Sequence, residues 1–421
     1  MTNPATRRAI SLAVLVGALG YFVDIYDLIL FSMVRTRSLA DLGLAPDQVR
    51  EQGIFLLNMQ LTGLLVGGIV WGVIGDKRGR LSVLFGSITM YSVANIANGF
   101  VHGVDSYAVC RLVAGIGLAG ELGAGVTLVS ELMSKQRRGL GTMIVAAPGI
   151  TGGLLAGWIG GAFGTGLPWR TAYFIGGGLG IALLILRIGV AESGMFRSTL
   201  SKQVERGNFF KLFARKRVPQ YLAIIAVGVP IWYAIGVLYT FSNNLGTELG
   251  LAEPPNVARV LFFDYGGAAI GGVLSGLLSQ RLQSRRRAMA IFLGLLAASV
   301  AAYFLVGGLS SALFYALCGL GGVATGYWVV FMSTAAELFG TNLRATVAIT
   351  VPNFVRGSAV LATYGFKLLT PPLGLVGAAL ACGVVAFAIG VIGLATVRET
   401  FHADLDFHEV DDADPQAIAA A

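Results

Sequence analysis

Twelve apolar stretches, each long enough to cross a bilayer, take up nearly all of this 421-residue chain, and no other feature restricts the fold as much. Hydrocarbon holds no water to satisfy backbone N–H and C=O groups, so such a chain must form a bundle of membrane-spanning helices. The stretches are residues 9–34, 53–74, 81–101, 106–130, 139–164, 170–190, 221–242, 258–280, 288–307, 311–335, 346–370 and 374–397. A composition of 55% hydrophobic and 12% charged residues, with a mean hydropathy of +0.75, excludes a soluble domain and sets the fold class as all-α membrane protein. The 59 glycines suit this class, because small residues let membrane helices approach closely.

The net charge of +8 reflects topology, not a nucleic-acid partner. With a cytoplasmic N-terminus, 21 of the 30 Lys and Arg lie on the inner side, six on the outer side (Arg35, Arg37, Arg50, Arg170, Arg259 and Lys367) and three in the membrane (Arg111, Arg187 and Arg356). That bias places both termini in the cytoplasm of a multi-pass protein of the cell (inner) membrane, with the lipid bilayer as its surroundings. Cys110, Cys318 and Cys382 fall inside apolar stretches at no metal-ligand spacing and read as packing residues. Arg7 and Arg8 before an apolar run mimic a secretory signal, but no small-residue cleavage site follows and Asp24 interrupts the run, so it reads as the first span.

Residues 191–220 form the longest gap and carry seven Lys or Arg, dividing a six-span unit, 1–190, from a second, 221–397. An internal repeat supports the division. Glu131-Leu132 and Arg138-Gly139 after span four recur 206 positions later as Glu337-Leu338 and Arg344-Ala345. The loop Gly72 to Arg80 after span two has a decayed partner in Gly276 to Arg287, where Gln280 replaces Asp76. Two six-helix halves of this kind are the architecture of many secondary transporters, with the site between them near the midplane. The tail 398–421 is acidic, lacks apolar periodicity and is expected to be disordered.

The segment Gly72-Val-Ile-Gly-Asp76-Lys77-Arg78-Gly79-Arg80 resembles the loop between the second and third helices of the major facilitator superfamily, with Leu81 in place of the closing basic residue. Arg111-Leu-Val-Ala-Gly-Ile-Gly-Leu-Ala-Gly-Glu121, continuing to Glu131 and Arg138, resembles the fourth helix of its proton-linked metabolite symporters. Tyr21-Phe-Val-Asp24-Ile-Tyr-Asp27 is similar to the acidic, aromatic first helix of the same group and of the related aromatic-acid symporters. The resemblance implies twelve transmembrane helices in two pseudo-symmetric bundles, with helices one, four, seven and ten lining a central cavity. Antiporters of the superfamily often carry Gly-Pro-x-x-Gly-Gly in helix five; here the run is Ala147-Pro148-Gly-Ile-Thr-Gly-Gly153, which leans towards uptake.

Ionisable residues in hydrocarbon are expensive and point to function. Asp24 and Asp27, three apart, share one side of span one; two carboxylates there resist ionising together, which suits one of them to carry a proton. They are equally eligible. Glu121 is the third candidate for proton coupling, and at roughly 15 Å along the helix from Arg111 the two must find other partners. Arg111 either lines the chamber or pairs with a span-one acid. Arg356, with Asn353 on a neighbouring turn, either binds a substrate carboxylate with its planar fork or pairs with Asp24 or Asp27 across the halves. Trp232, Tyr233, Tyr327 and Trp328 lie deep enough either to pack round an organic substrate or simply to pack helix against helix, while Tyr239, Asn243 and Asn244 read as interfacial belt or gate. Asp264 is expected near the outer surface, and Lys367 can snorkel. By resemblance, Gly72, Asp76, Lys77, Arg78, Gly79 and Arg80 latch the inner gate, and Glu131 with Arg138 and Glu337 with Arg344 form supporting salt links.

These residues indicate a monomeric secondary transporter that couples proton entry to uptake of a small organic anion such as a carboxylate. Proton-driven export of a drug or sugar is the competing transport reading, and a transporter-shaped receptor without flux is the competing class. An enzyme is not expected, nor any metal or cofactor: the histidines are His102, His402 and His408, none deep in a span, and no lysine follows a glycine, so a Walker loop is absent.

Overall fold

The computed structural model describes residues 4–78, 80–121, 123, 145–146, 148–192, 212–214 and 216–403. Helix passes through every one of the twelve apolar stretches. The first half contains α1 (Pro4–Asp41), α2 (Pro46–Arg78), α3 (Arg80–Asn98), α4 (Val104–Leu118), α5 (Gly152–Gly160) and α6 (Trp169–Glu192). The second contains α7 (Val218–Tyr233, continuing as a π-helical stretch Ala234–Tyr239), α8 (Val257–Leu282), α9 (Arg285–Val306) and α10 in two pieces, Ser311–Thr325 and Trp328–Glu337. A last helical run, Thr341–Thr396, comprises α11 (341–373) and α12 (375–396), divided at Gly374.

Local chemistry explains these boundaries. Pro371 and Pro372 remove two backbone donors just before Gly374, whose φ of 70° is open to glycine but strained for other residues, so the chain reverses there. Side-chain caps start three helices: Asn256 accepts from Arg259 N, Ser284 from Arg287 N and Ser310 from Leu313 N. In α7, Pro230 is followed by a widened turn in which Thr240 N reaches back five residues to Ile235 O at 3.1 Å.

Glycines govern how closely the helices approach. A Cβ on Gly63 would overlap the Leu112 carbonyl, and one on Gly115 would overlap that of Gln60, so α2 and α4 meet backbone to backbone. In the second half Gly267 and Gly271, each 204 positions beyond Gly63 and Gly67, press on α10 in the same way, against the carbonyls of Gly319 and Val323. The duplicated loop motif is therefore matched by a duplicated helix contact. Large apolar side chains such as Leu305, Leu361, Leu368, Val384 and Ile392 are exposed, as lipid-facing surface requires.

At the inner end, the first residues of the acidic tail dock on the second half. The Glu399 carboxylate accepts from Arg285 N at 2.8 Å, from Arg286 N at 3.2 Å and from the Ser284 hydroxyl, so it caps the N-terminus of α9. Partial burial by itself would raise its pKa. Hydrogen bonds from Ser284 and from the backbone N–H groups of Arg285, Phe401 and Arg286 outweigh that and hold it below the usual range. Residues 404–421 lie outside the described residues.

Gly115→Leu should lower stability by about 1–3 kcal/mol through overpacking, seen as a lower melting temperature in detergent. Gly294→Ala, where nothing lies within 4 Å of the added carbon, should instead match or slightly exceed the parent. Equal melting of the two variants would contradict the close-approach account.

Candidate functional site

The two halves are joined near mid-membrane by an ion pair. Arg356 Nη2 of α11 donates to Asp24 Oδ2 of α1 at 2.7 Å, with both side chains at most 1% exposed. The pair is incompletely satisfied. Arg356 Nε and Nη1 and Asp24 Oδ1 are buried without a hydrogen-bond partner. Tyr21, one turn before Asp24, and Tyr265 of α8 flank the guanidinium. Trp328 lies against Tyr21 and stacks on Phe331 at 5.1 Å. A half-used guanidinium fork among aromatic rings is suited to hold a ring-bearing carboxylate.

Asp24 and Asp27 do not share a partner. Three residues of helix leave the two side chains roughly 60° apart round the axis and about one turn apart along it, and the neighbours of Asp27 are those of the first half. A Cβ on Gly176 of α6 would overlap Asp27 Oδ1, and both carboxylate oxygens lack a hydrogen bond among the described residues. Its electrostatic neighbours are Arg111, Asp24 and Asn95. Arg111 donates to Asn95 Oδ1 at 2.7 Å and lies 4.6 Å from the Tyr173 ring centroid, leaving Nε and Nη1 without partners. Arg111 and Asp27 thus belong to a polar cluster between α1, α3, α4 and α6.

Glu121 is elsewhere again. It forms a two-pronged pair with Arg187 of α6, Nη1 to Oε1 at 3.0 Å and Nη2 to Oε2 at 2.7 Å. Ser87 adds a hydrogen bond at 2.8 Å, and Arg187 also reaches the Leu84 carbonyl at 3.0 Å. So Asp24, Asp27 with Arg111, and Glu121 have three different sets of bonding partners, although Asp24 interacts electrostatically with both Asp27 and Glu121, and the partner Glu121 needed is Arg187. Depth would have revealed it: Glu121 lies 17 residues past Val104 and Arg187 18 past Trp169, on helices that both run inwards.

Contacts between halves close the protein on either side of the central pair. On the outer side Arg35 of α1 donates to Thr240 O at 3.1 Å and Asn243 Oδ1 at 3.5 Å and covers the Phe241 ring at 4.2 Å, while Thr240 Oγ1 reaches Ser32 at 3.3 Å. Sequence reasoning counted Arg35 among the outer basic residues and overlooked its burial. Its spacing of eleven residues from Asp24, just over three helical turns, was the available signal. Asn58 accepts from Thr363 at 2.7 Å, adding α2 and α11 to this seal. On the inner side Asn353 donates to Ala119 O at 2.8 Å, and Gly68 and Gly72 of α2 face Asn353, Thr350 and Thr346.

Several candidates take other places. The Tyr233 hydroxyl donates to Ala379 O at 2.7 Å and that of Tyr327 to Val227 O at 2.8 Å, so both hydroxyls bind helices within the second bundle. Trp232 is buried on α7. Glu337 pairs with Arg285 at 3.0 Å and accepts from Thr400 at 2.7 Å; Arg344 donates to the carbonyls of Ala336 at 2.9 Å and Phe339 at 3.4 Å. Arg344 folds back over the end of α10 because helix-terminal carbonyls there need donors. Arg78 is exposed, and for Asp76, Lys77 and Arg80 only the backbone is described; Gly79, Glu131 and Arg138 lie outside the described residues.

Residues 12–363 match the sequence profile of the Major Facilitator Superfamily. A protein of Cupriavidus pinatubonensis named "Probable 4-methylmuconolactone transporter" is 25% identical over 95% of this chain and 93% of its own length. The 3-(3-hydroxy-phenyl)propionate transporter of Escherichia coli is 27% identical over 69% of this chain and 71% of its own. The benzoate transport protein of Acinetobacter baylyi is 21% identical over 79% and 78%.

Arg187→Ala should destabilise the protein by about 3–5 kcal/mol, because it leaves Glu121 charged and buried alone. Pairing Arg187→Met with Glu121→Leu should recover most of the loss in the same detergent melt. An Arg187→Ala protein as stable as the parent would show that Glu121 does not depend on this pair.

Proposed function

This chain belongs to the major facilitator superfamily and is a multi-pass membrane transporter, and we propose that it takes up a small organic anion, a ring-bearing carboxylate, together with protons by alternating access. The observation that carries the reading is the Asp24–Arg356 pair, which joins the halves and leaves Arg356 Nε and Nη1 unused. Asp24 and a substrate carboxylate compete for one guanidinium. Protonating Asp24 removes its claim on Arg356, whose fork then accepts the substrate with two parallel hydrogen bonds. Binding of proton and anion is thereby linked without any contact between them.

Tyr21 and Tyr265 supply ring faces beside the fork, and Trp328, against Tyr21, stacks on Phe331 behind them. The relatives named for benzoate and for a hydroxyphenylpropionate handle molecules of this type. In alternating access the outer contacts at Arg35 and the inner contacts at Asn353 would open in turn about the central pair. A proton crossing 100 mV supplies roughly 2.3 kcal/mol. One proton moving with a monovalent anion carries no net charge, so the pH gradient alone would then drive uptake. The positive-inside bias supports a cell-membrane location with cytoplasmic termini, and the whole path lies within one chain.

In proteoliposomes with an acidic exterior, benzoate should accumulate and a protonophore should abolish the gain; accumulation indifferent to the protonophore would rule out proton coupling. Arg356→Ala should weaken benzoate binding by roughly 100-fold, since charge-assisted hydrogen bonds contribute about 1.5–3 kcal/mol each, and Arg356→Lys should not restore it. Asp24→Asn should keep benzoate exchange while losing accumulation driven by the pH gradient. Unchanged binding in Arg356→Ala would remove the anion site from α11.

A further inference from the structure

Asp264 is a carboxyl for which the central pair has no use. It lies seven residues into α8 from the outer end, at the depth expected from the sequence, yet it is 0% exposed. Neither of its oxygens has a hydrogen-bond partner. Among the described residues no cation pairs with it. The titratable groups around it are Tyr239 at the end of the π-helical stretch of α7 and Cys318 of α10, with Tyr303 of α9 beyond Cys318. Tyr265, the next residue, also interacts with Asp264, and through it Tyr21, Arg356 and Asp24 are the next charged and titratable groups. The site is tight: a Cβ on Gly321 would overlap the Tyr239 hydroxyl, with Ser299 Cβ at 3.9 Å, and one on Gly322 would overlap the Asp264 carbonyl. The Ser299 hydroxyl is also buried without a partner.

A carboxylate ion sealed in such a site, with neither counter-charge nor hydrogen bond, is strongly disfavoured, whereas a neutral acid can stay. The chain that covers Asp264 is the chain that forms the outer seal. Tyr239 is followed directly by Thr240, which takes the Arg35 and Ser32 hydrogen bonds, and the six-residue π-helical stretch runs up to this point. Such stretches often mark places where a helix rearranges. Breaking the Arg35–Thr240 contact would move Tyr239 and admit water to the carboxyl.

We infer that Asp264 is a second proton-binding site, in the C-terminal half, which takes up one proton from the outside each time the outer seal closes. Acid outside favours the sealed form, and base favours the open one. The site's proton occupancy stands on burial and orphaned oxygens. Only its place in a transport cycle rests on the proton-coupled reading given above.

Two measurements on full-length protein in lipid test it. Infrared difference spectroscopy at neutral pH should show a protonated-carboxyl C=O band that vanishes in Asp264→Asn and shifts in Asp264→Glu; a band unchanged in both means that Asp264 is ionised and overturns the inference. Spin labels at the exposed positions Ala40 and Glu248 report the outer seal. The closed-to-open ratio should rise as pH falls, with a slope reduced by one proton, about tenfold per pH unit, in Asp264→Asn. An identical slope in the variant would make Asp264 a permanently neutral packing residue and overturn the coupling to the seal. Closure that needs sodium ions, with no carboxyl band, would assign the site to a metal cation and also overturn it. Should Asp264→Asn not fold, Asp264→Glu carries both readouts. Loss of benzoate accumulation by the parent with the band and the pH-dependent closure intact would defeat the symport reading alone.

Discussion

A charged side chain in hydrocarbon has to find its compensation inside the protein, and the arrangement of this molecule follows from how four arginines do so. Arg187 satisfies both oxygens of Glu121 with two parallel bonds, leaving only its Nε without a partner among the described residues. Arg111 has an amide oxygen and a ring face. Arg35 takes backbone and amide oxygens across the outer seal. Arg356 has one bond to one carboxylate oxygen. Of these four, Arg187 and Arg111 act within the first half, whereas Arg35 and Arg356 bridge the two halves.

The same economy appears in the backbone. Glycine pairs weld α2 to α4 and α8 to α10, contacts too close to slide without repacking. Between the halves there are close glycine contacts too, Gly123 on Ile349 and Gly153 on Tyr265, and beside them single hydrogen bonds: Asn353 to Ala119 on the inner side, Thr363 to Asn58 and Arg35 to Thr240 on the outer side. Each such bond can be exchanged for water at small net cost once its side opens. Stiff halves with exchangeable seams are the mechanical requirement for rocking about a central site, and α7, with Pro230 and its widened turn, joins one seam to the interior of the second half.

Much of this was legible in the residues alone. Apolar length announced twelve helices, the repeat announced two halves, and Asp24, Asp27, Arg111 and Arg356 announced themselves as ions where none should be. Less legible was which ion meets which. Asp24 and Asp27 look equivalent by spacing, but one meets α11 and the other α6. Arg35 looked like an outer loop charge because its burial comes from Phe241 and Thr240, some 200 positions away. Glu399, read as part of a polar tail, caps α9 in the half whose loop carries Gln280 in place of an acid. Tyr233 and Tyr327 showed their depth but not their direction, since a hydroxyl's partner on another helix leaves no mark in local periodicity.

The sequence by itself determined that the chain crosses a membrane many times, in two related halves, and with carboxyl and guanidinium groups stationed in the oil. Those properties depend on hydropathy, charge and repetition, which are sums along the chain. Tertiary structure alone decided the pairings: Asp24 with Arg356, Glu121 with Arg187, Arg35 with the end of α7, and Asp264 with nothing. Electrostatic energy in low dielectric depends steeply on distance and direction over a few ångströms, and those are set by helix rotation and by glycine-controlled approach, which no one-dimensional pattern encodes.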